Sequence, residues 1–412
     1  MSVCSLGFLF FTGVVTLLFH ARPGLGGRRM VLGAASLFFL AAFRPDLRSL
    51  AALAAFLFVT HMSLRLAPRA SRLTVVLLGA AVVAAFLVLR RYSFLQSLLP
   101  AKLLGHPLEL VGLSYMLFRF LHLLVDVRQG QIGAVSLTSY LSYQLSFLTL
   151  VAGPIQRYRD FRASWDTLAR STPPPRDTLL AWDRLLSGMI KIGLLSTALL
   201  YVYERAAAGA LREQPPPALL LRFMAYFYSY PAYLFFNFSG YTDIVVGAGR
   251  LLNFSLPENF DRPYLARNIL DFWNRWHITL TKWIRDYIFM TSYKWSVDRL
   301  GPSPFLGPSA VFVALLIAGL WHGSTSNFAL FGLVHGVGAA VNQVYDEILK
   351  RRLKAPARRA YAENAWIRGA ATFATLHVVC FSFLFFPGDL DLVFARLHFA
   401  ATAVARLAGS AG

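Results

Sequence analysis

The sequence predicts an all-helical protein that crosses a membrane many times. Hydrophobic residues make up 57% of the 412 residues, and the mean hydropathy is +0.53. A soluble domain of this composition would leave too many apolar side chains in water. The apolar residues also fall into long runs, as transmembrane helices require. The candidate spans are 5–20, 30–43, 49–64, 73–89, 107–125, 135–152, 185–203, 218–235, 308–321, 327–345 and 366–386.

Several of these segments are short, because a straight helix needs about 20 apolar residues to cross the hydrocarbon core. We therefore expect some to tilt, to re-enter the membrane or to be covered by protein. No internal repeat is visible, so the chain 1–412 is interpreted as one membrane domain. Within it, 1–105 is a scaffold of plain apolar helices, 106–345 is the core that holds the site, and 346–412 adds C-terminal helices.

The net charge of +20 could indicate binding to nucleic acid. The basic residues instead lie in short loops between apolar runs, which is typical of topology signals and of contacts with lipid headgroups. The densest group runs from Lys350 to Arg359, and the positive-inside rule predicts a cytoplasmic position for it. We therefore expect membrane lipids as partners and no nucleic acid.

Several enzyme classes lack their usual motifs in this chain. It has no Gly-x-Ser-x-Gly nucleophile turn, no Gly-x4-Gly-Lys-Ser/Thr phosphate loop and no His-Glu-x-x-His helix. Its two cysteines, Cys4 and Cys380, make neither a disulfide framework nor a thiolate metal site. No metal and no tightly bound cofactor is expected.

Polar residues enter the apolar runs from about residue 140 onward, and polar groups inside a membrane usually mark a functional site. Leu150–Tyr158 predicts a helix that breaks at Gly-Pro near a membrane edge. Phe236–Asp243 is polar and contains glycine between two apolar runs, so irregular backbone that lines a cavity is expected there. A third polar stretch covers 264–290.

The stretch 264–290 has the periodicity of one amphipathic helix. At about 100° per residue its polar side chains form a single broad stripe, and Asp271 with Arg275 is an i,i+4 pair that supports a helix. His277 falls on the opposite, apolar face. Such a histidine is either a hydrogen-bonded core residue or part of a site, and the pattern leaves both interpretations open.

His322 follows the apolar run 311–321 and is flanked by glycines and then by hydroxyl residues. Ser326 is a suitable N-cap for a new helix from Asn327. We therefore predict that a helix ends at or just after His322, inside the membrane, in a polar pocket. Apolar surroundings favour the neutral imidazole, which can accept a proton as a general base. The alternative is a buried, hydrogen-bonded core histidine.

His335 is a rival partner for His322. If a helix restarts at Ser326, His335 lies nine residues along it, about 14 Å away at 1.5 Å per residue. We therefore interpret His335 as a packing residue between Gly332 and Gly336.

Six motifs resemble those of the membrane-bound O-acyltransferases, in particular the bacterial branch of alginate O-acetyltransferases and of D-alanyl transfer proteins for teichoic acids. The last three are specific in combination. The motifs are Gly153–Tyr158, Phe238–Asp243, Leu256–Phe260, Asp271–Leu280, Trp283–Tyr287 and Gly319–Gly323.

The resemblance implies a ring of about eleven transmembrane helices, with re-entrant and amphipathic helices, around a central tunnel. It implies that His322 is the catalytic histidine and that His277 is a second polar residue at the site. Five further residues are candidates for binding substrate: Trp321, Asn327, Trp273, Arg275 and Asp243.

The resemblance also implies a multi-pass enzyme of the bacterial inner membrane. The expected reaction passes an acetyl group from a cytoplasmic thioester, acetyl-CoA or an acyl-carrier protein, towards an exported cell-surface polysaccharide. A separate extracytoplasmic protein that carries or transfers the acetyl group is the expected partner. Two alternatives remain open: D-alanyl transfer to a cell-envelope polymer, and, from another class, a proton-coupled transporter or flippase with intramembrane histidines.

Overall fold

A computed structural model describes residues 3–89, 112–168, 174–208, 215–323, 325–388 and 390–409. These residues are almost entirely helical. Among them, the one β-bridge joins Phe260 to Trp276. The candidate span 107–125 begins outside the described residues.

The helices are labelled here in chain order. They are α1 Leu6–His20, α2 Leu25–Ala41, α3 Leu47–Leu66, α4 Arg72–Leu89, α5 Leu113–Arg128, α6 Leu137–Gln144, α7 Tyr158–Thr167, α8 Pro175–Ala207, α9 Pro216–Leu251, α10 Ile269–Arg275, α11 Ile278–Ile284, α12 Met290–Leu300, α13 Leu306–His322, α14 Ser326–Arg352, α15 Ala355–Glu363, α16 Ala365–Phe383 and α17 Leu390–Gly409. Two π-helical stretches lie at Lys191–Ser196, inside α8, and at Arg285–Phe289, between α11 and α12.

Five of the described helices are long and apolar enough to cross a membrane, namely α3, α4, α8, α14 and α16. Helices α1 and α13 are apolar but shorter. The protein is thus a helical membrane protein, while a ring of eleven spans stays a prediction.

The described residues form two compact units. The first comprises Met1–Met189 and Gly240–Glu258, and the second comprises Ile190–Ser239 and Asn259–Gly412. In the second unit, α13 and α14 form the most extensively packed pair of helices, and α10 and α16 pack against α14.

The predicted span 135–152 is wrong, because α6 ends at Gln144 and irregular backbone follows. Buried Arg119 explains the early end: its guanidinium donates to the carbonyl oxygens of Tyr143 (2.7 Å), Gln144 (3.0 Å) and Thr149 (2.6 Å). A helix end leaves such carbonyls without partners, and here one arginine satisfies two of them together with the Thr149 carbonyl of the turn that follows. The Gly153–Pro154 peptide is cis and lies beyond the helix, so the break precedes the Gly-Pro pair.

The expectation of irregular backbone at Phe236–Asp243 is also wrong, because this stretch lies inside the continuous helix α9. The helix packs closely against α8 at this point. A Cβ atom on Gly188 of α8 would lie 2.6 Å from the carbonyl oxygen of Gly240. The Asp243 carboxylate accepts a 2.9 Å hydrogen bond from Arg184 Nε, so its polar group is satisfied without a break in the helix.

The single amphipathic helix predicted over 264–290 is divided into α10 and α11, with His277 between them. The side-chain periodicity was real, but it did not reveal the break. The predicted end of a helix at His322 is confirmed. The next helix begins at Ser326 with Thr325 as its N-cap, one residue earlier than expected and without a side-chain capping bond.

Candidate functional site

Helices α13 and α14 form a closely packed hairpin that fixes the position of His322. The two backbones approach at glycines: a Cβ atom on Gly319 would lie 2.5 Å from Gly332 Cα, and one on Gly336 would lie 2.9 Å from the carbonyl oxygen of Phe312. Any side chain at these glycines would separate the helices. The glycines near His322 and His335 therefore serve helix packing.

His322 is the last residue of α13, and Gly323 follows in an extended conformation. Close contact requires glycine at 323, because a Cβ atom there would lie 2.0 Å from the Phe328 ring. The chain leaves the helix at His322 and turns within a few residues into α14, which holds the imidazole at a helix end.

The His322 ring is half-buried among aromatic side chains. Its centroid lies 4.9 Å from that of Trp321, 5.3 Å from Phe386 and 5.8 Å from Phe331. Among the described residues, no hydrogen bond or ion pair engages this ring. An imidazole that is partly accessible and retains free nitrogens can exchange a proton with a bound substrate.

His277 lies between α10 and α11 in the left-handed region, at φ 44° and ψ 52°. This conformation is uncommon for a residue other than glycine and costs about 1–3 kcal/mol where it occurs. The neighbouring chain imposes it. Asp261 N donates to Arg275 O (2.9 Å), and Ile278 N donates to Asn259 O (3.0 Å), on either side of His277.

Asn259 reinforces this turn with its side chain. Its Oδ1 atom accepts from Thr279 N (3.2 Å) and from the Thr279 hydroxyl (2.7 Å). Asn259 is fully buried, and Thr279 is 6% exposed. Bonds of this kind are costly to remove because their loss leaves buried polar groups unsatisfied. Asn259 is a positioning residue that helical periodicity could not identify.

The His277 ring is 2% exposed and packs against Phe238, with the ring centroids 4.8 Å apart. Its centroid is 6.2 Å from that of Trp321, whose ring also contacts His322. Neither ring nitrogen of His277 finds a hydrogen-bond partner in another described residue. The structure therefore brings both histidines into contact with one indole.

His335 is close to this cluster but differs in its bonding. Trp273 Nε1 donates to His335 Nδ1 (3.2 Å), and His335 Nε2 lies 2.8 Å from Ser382 Oγ. The Ser382 hydroxyl donates to Val379 O (2.7 Å), so we assign the His335 proton to Nε2. Both nitrogens are thus engaged, and His335 is a hydrogen-bonded core residue that links α10, α14 and α16.

The other sequence candidates have structural partners. Trp273 is buried and donates a hydrogen bond to His335. Asn327 is also buried and donates to Phe385 O (3.3 Å). Arg275 pairs with Asp271 at 2.7 Å. Asp243 belongs to the first unit, where Arg184 engages it. Of these five, Trp321 is the one whose ring contacts both His277 and His322.

Phe331 and Phe386 complete the walls around His322, and sequence analysis did not select them. Phe331 is 1% exposed, and its ring contacts those of His322 and His335 at 5.8 and 4.5 Å. Aromatic residues occur in every apolar run of this chain, so no local signal distinguishes these two. In the described part of the chain no group of three His, Cys, Asp or Glu residues could hold a metal ion.

Comparison with known proteins identifies the family. Residues 44–384 match the model of the membrane-bound O-acyltransferase family. The teichoic acid D-alanyltransferase of Bacillus subtilis is 30% identical over 302 residues, which cover 69% of this chain and 71% of the relative. The probable alginate O-acetylase AlgI of Pseudomonas fluorescens is 29% identical over 279 residues, which cover 67% of this chain and 54% of the relative. A match over most of the chain, which includes the segments that carry both histidines, shows that this protein is a member of the membrane-bound O-acyltransferase family.

Proposed function

We propose that this enzyme passes an acetyl group from a cytoplasmic thioester to a hydroxyl acceptor, for O-acetylation of an exported cell-surface polysaccharide at the bacterial inner membrane. The observation that carries the proposal is the position and the bonding of the His322 ring. Its imidazole is held at a helix end, is half-buried and makes no hydrogen bond to a described residue.

In this mechanism His322 is the general base. Its neutral ring takes the proton of the acceptor hydroxyl while the oxygen attacks the thioester carbonyl carbon. The C–S bond then breaks, and the thiolate leaving group takes the proton from the imidazolium. The products are the new ester and the free thiol, and the imidazole returns to its neutral form. A positioned base of this kind contributes roughly 10²–10⁴ in rate.

His277 would orient or polarise the substrate. Its ring is almost fully buried, yet both nitrogens are without a partner in another described residue. Such groups are expensive to bury unless a ligand bonds to them. The left-handed backbone at this residue supports the same interpretation, because strain of this kind is concentrated at functional sites.

The relatives support O-acyl transfer and include both acetyl and D-alanyl enzymes by name. D-alanyl transfer to a cell-envelope polymer is the second candidate, favoured by the longer match of the D-alanyltransferases, 71% of the relative's length against 54%. The donor would be acetyl-CoA or an acyl-carrier thioester in the first case and a D-alanyl carrier thioester in the second. An extracytoplasmic acetyl-transferring protein would complete the first pathway.

The test uses the full chain in proteoliposomes with two radiolabelled donors, acetyl-CoA and a D-alanyl carrier thioester, and soluble hydroxyl acceptors on the opposite side. His322→Ala should reduce transfer at least 100-fold, the lower end of the contribution of a general base. His398→Ala is the matched control, because His398 is an exposed histidine of α17.

Unchanged transfer in His322→Ala would refute the proposed mechanism. Transfer from the D-alanyl donor with none from acetyl-CoA would replace acetylation by the second candidate.

A further inference from the structure

A cavity of about 970 Å³ opens in the second unit, between the C-terminal half of α14 and the N-terminal half of α16, beneath the short helix α15. Helices α14 and α16 are both candidate membrane spans. The site described above uses none of the residues that line this cavity. Its volume lies near the upper end of the range for ligand-binding pockets in proteins, about 300–1,000 Å³.

The end of the cavity at α15, its mouth, is basic. Arg358 and Arg359 of α15 and Arg368 in the first turn of α16 line it there, and Arg267 lines the cavity from the segment before α10; one aspartate, Asp346, also belongs to the lining. Arg359 pairs with Glu363 at 2.8 Å. Among the described residues, no carboxylate forms an ion pair with the other three guanidiniums. Guanidinium groups that remain uncommitted around a concave surface favour a phosphate ligand, which they can bind in a bidentate manner.

The wall below the arginines is apolar. It includes Val341 on α14 and Ala371, Ala374 and Val378 on α16, with Asn342 and Thr375 as polar residues among them. From Arg368 to Val378 the helix advances ten residues, about 15 Å at 1.5 Å per residue. That depth is half of the roughly 30 Å hydrocarbon core, which is one leaflet of a bilayer.

We propose that this cavity binds an anionic phospholipid, with its phosphate at Arg358 and Arg368 and an acyl chain along the wall of α14 and α16. A basic mouth above an apolar wall one leaflet deep matches the two parts of such a lipid. Basic pockets between transmembrane helices bind acidic headgroups for the same electrostatic reason. Asp346 offsets part of the charge and disfavours a ligand with several phosphates crowded at that point.

The ligand would brace the two helices that position His335. The His335–Ser382 contact joins α14 to α16, and the lipid would fill the space that opens between the same helices nearer α15. Binding to the folded state raises the apparent thermal stability in proportion to the logarithm of ligand concentration.

The experiment measures lipid binding to the purified full chain in detergent, by native mass spectrometry and by the shift in unfolding temperature. The probes are phosphatidylglycerol and phosphatidylcholine. The double variant Arg358→Gln/Arg368→Gln should bind phosphatidylglycerol roughly thirtyfold more weakly, at the usual contribution of a basic residue to anionic-lipid binding. The control Arg351→Gln/Arg352→Gln removes the same charge from exposed residues at the end of α14, outside the cavity lining.

We expect the control variant to bind phosphatidylglycerol as the unchanged protein does, and phosphatidylcholine to produce no shift. Equal loss in both double variants would indicate a general charge effect and overturn the proposal. Displacement of phosphatidylglycerol by acetyl-CoA or by inorganic phosphate, with no stabilisation by the lipid, would also overturn it and assign the arginines to another phosphate ligand.

Discussion

At the scale of residues, bonding separates three neighbouring histidines that composition cannot tell apart. His335 uses both ring nitrogens in hydrogen bonds to Trp273 and Ser382. His277 and His322 use neither among the described residues, and Trp321 contacts both rings. A nitrogen that already donates or accepts internally must lose that bond before it can serve a substrate. His335 is therefore the structural member of the three.

The left-handed backbone at His277 gives a prediction that separates structure from chemistry. His277→Gly and His277→Ala should both reduce acyl transfer, because both remove the imidazole. Glycine adopts φ 44° without strain whereas alanine does not. The glycine variant should therefore be more stable by about 1 kcal/mol, measured by thermal unfolding in detergent. Equal stability of the two variants would mean that the left-handed turn imposes no strain.

At the scale of elements, the site depends on how closely helices α13 and α14 approach. Glycines at the crossing remove the side chains that would hold the helices apart. A glycine has the same role between α8 and α9 in the first unit, where a Cβ atom on Gly188 would meet the carbonyl oxygen of Gly240. Small residues are typical of helix interfaces in membranes, where dispersion contacts between backbones replace the hydrophobic effect.

Gly319→Ala tests this packing. The new methyl group would lie 2.5 Å from Gly332 Cα, so the helices must separate and His322 must shift. We expect a loss of about 1–3 kcal/mol in stability together with reduced acyl transfer. Gly369→Ala is the control, because this glycine of α16 has open space around it and alanine favours a helix by up to about 1 kcal/mol. Equal effects of the two substitutions would contradict the packing explanation.

At the scale of the whole molecule, charge sets the expected orientation. The basic group Lys350–Arg359 covers the end of α14 and the start of α15, and it adjoins the mouth of the arginine-lined cavity. Basic loops remain on the cytoplasmic side of bacterial membranes. The same end of the molecule would then face both the cytoplasmic thioester donor and the anionic lipids of the inner leaflet.

A single cysteine in place of Lys354, with Cys4 and Cys380 replaced by alanine, tests the orientation. Lys354 is exposed, so a membrane-impermeant maleimide should label the cysteine in inside-out vesicles and leave it unlabelled in right-side-out spheroplasts. The cysteine-free protein gives the background. The reverse labelling pattern would place this loop, and the donor entry proposed here, on the wrong side of the membrane.

The sequence alone determined the helical membrane class, the end of a helix at His322 and the relationship to acyltransferases. Each of these rests on local information: hydropathy over a window of residues, glycine and hydroxyl residues after an apolar run, and short motifs. The same local information failed at Phe236–Asp243 and over 264–290. A glycine that packs against another helix resembles one that breaks a helix, and periodicity continues through the turn at His277.

The tertiary structure decided which histidines belong together and which are already engaged. The partners that settle this lie far away in sequence: Asn259 for the turn at His277, Ser382 for His335, and Phe386 for His322. Contacts between helices leave no periodic pattern in the sequence of either helix. The two residues in contact are far apart in sequence, and only folding brings them together. The residue types of the candidate site could therefore be selected from the sequence, and their geometry could not.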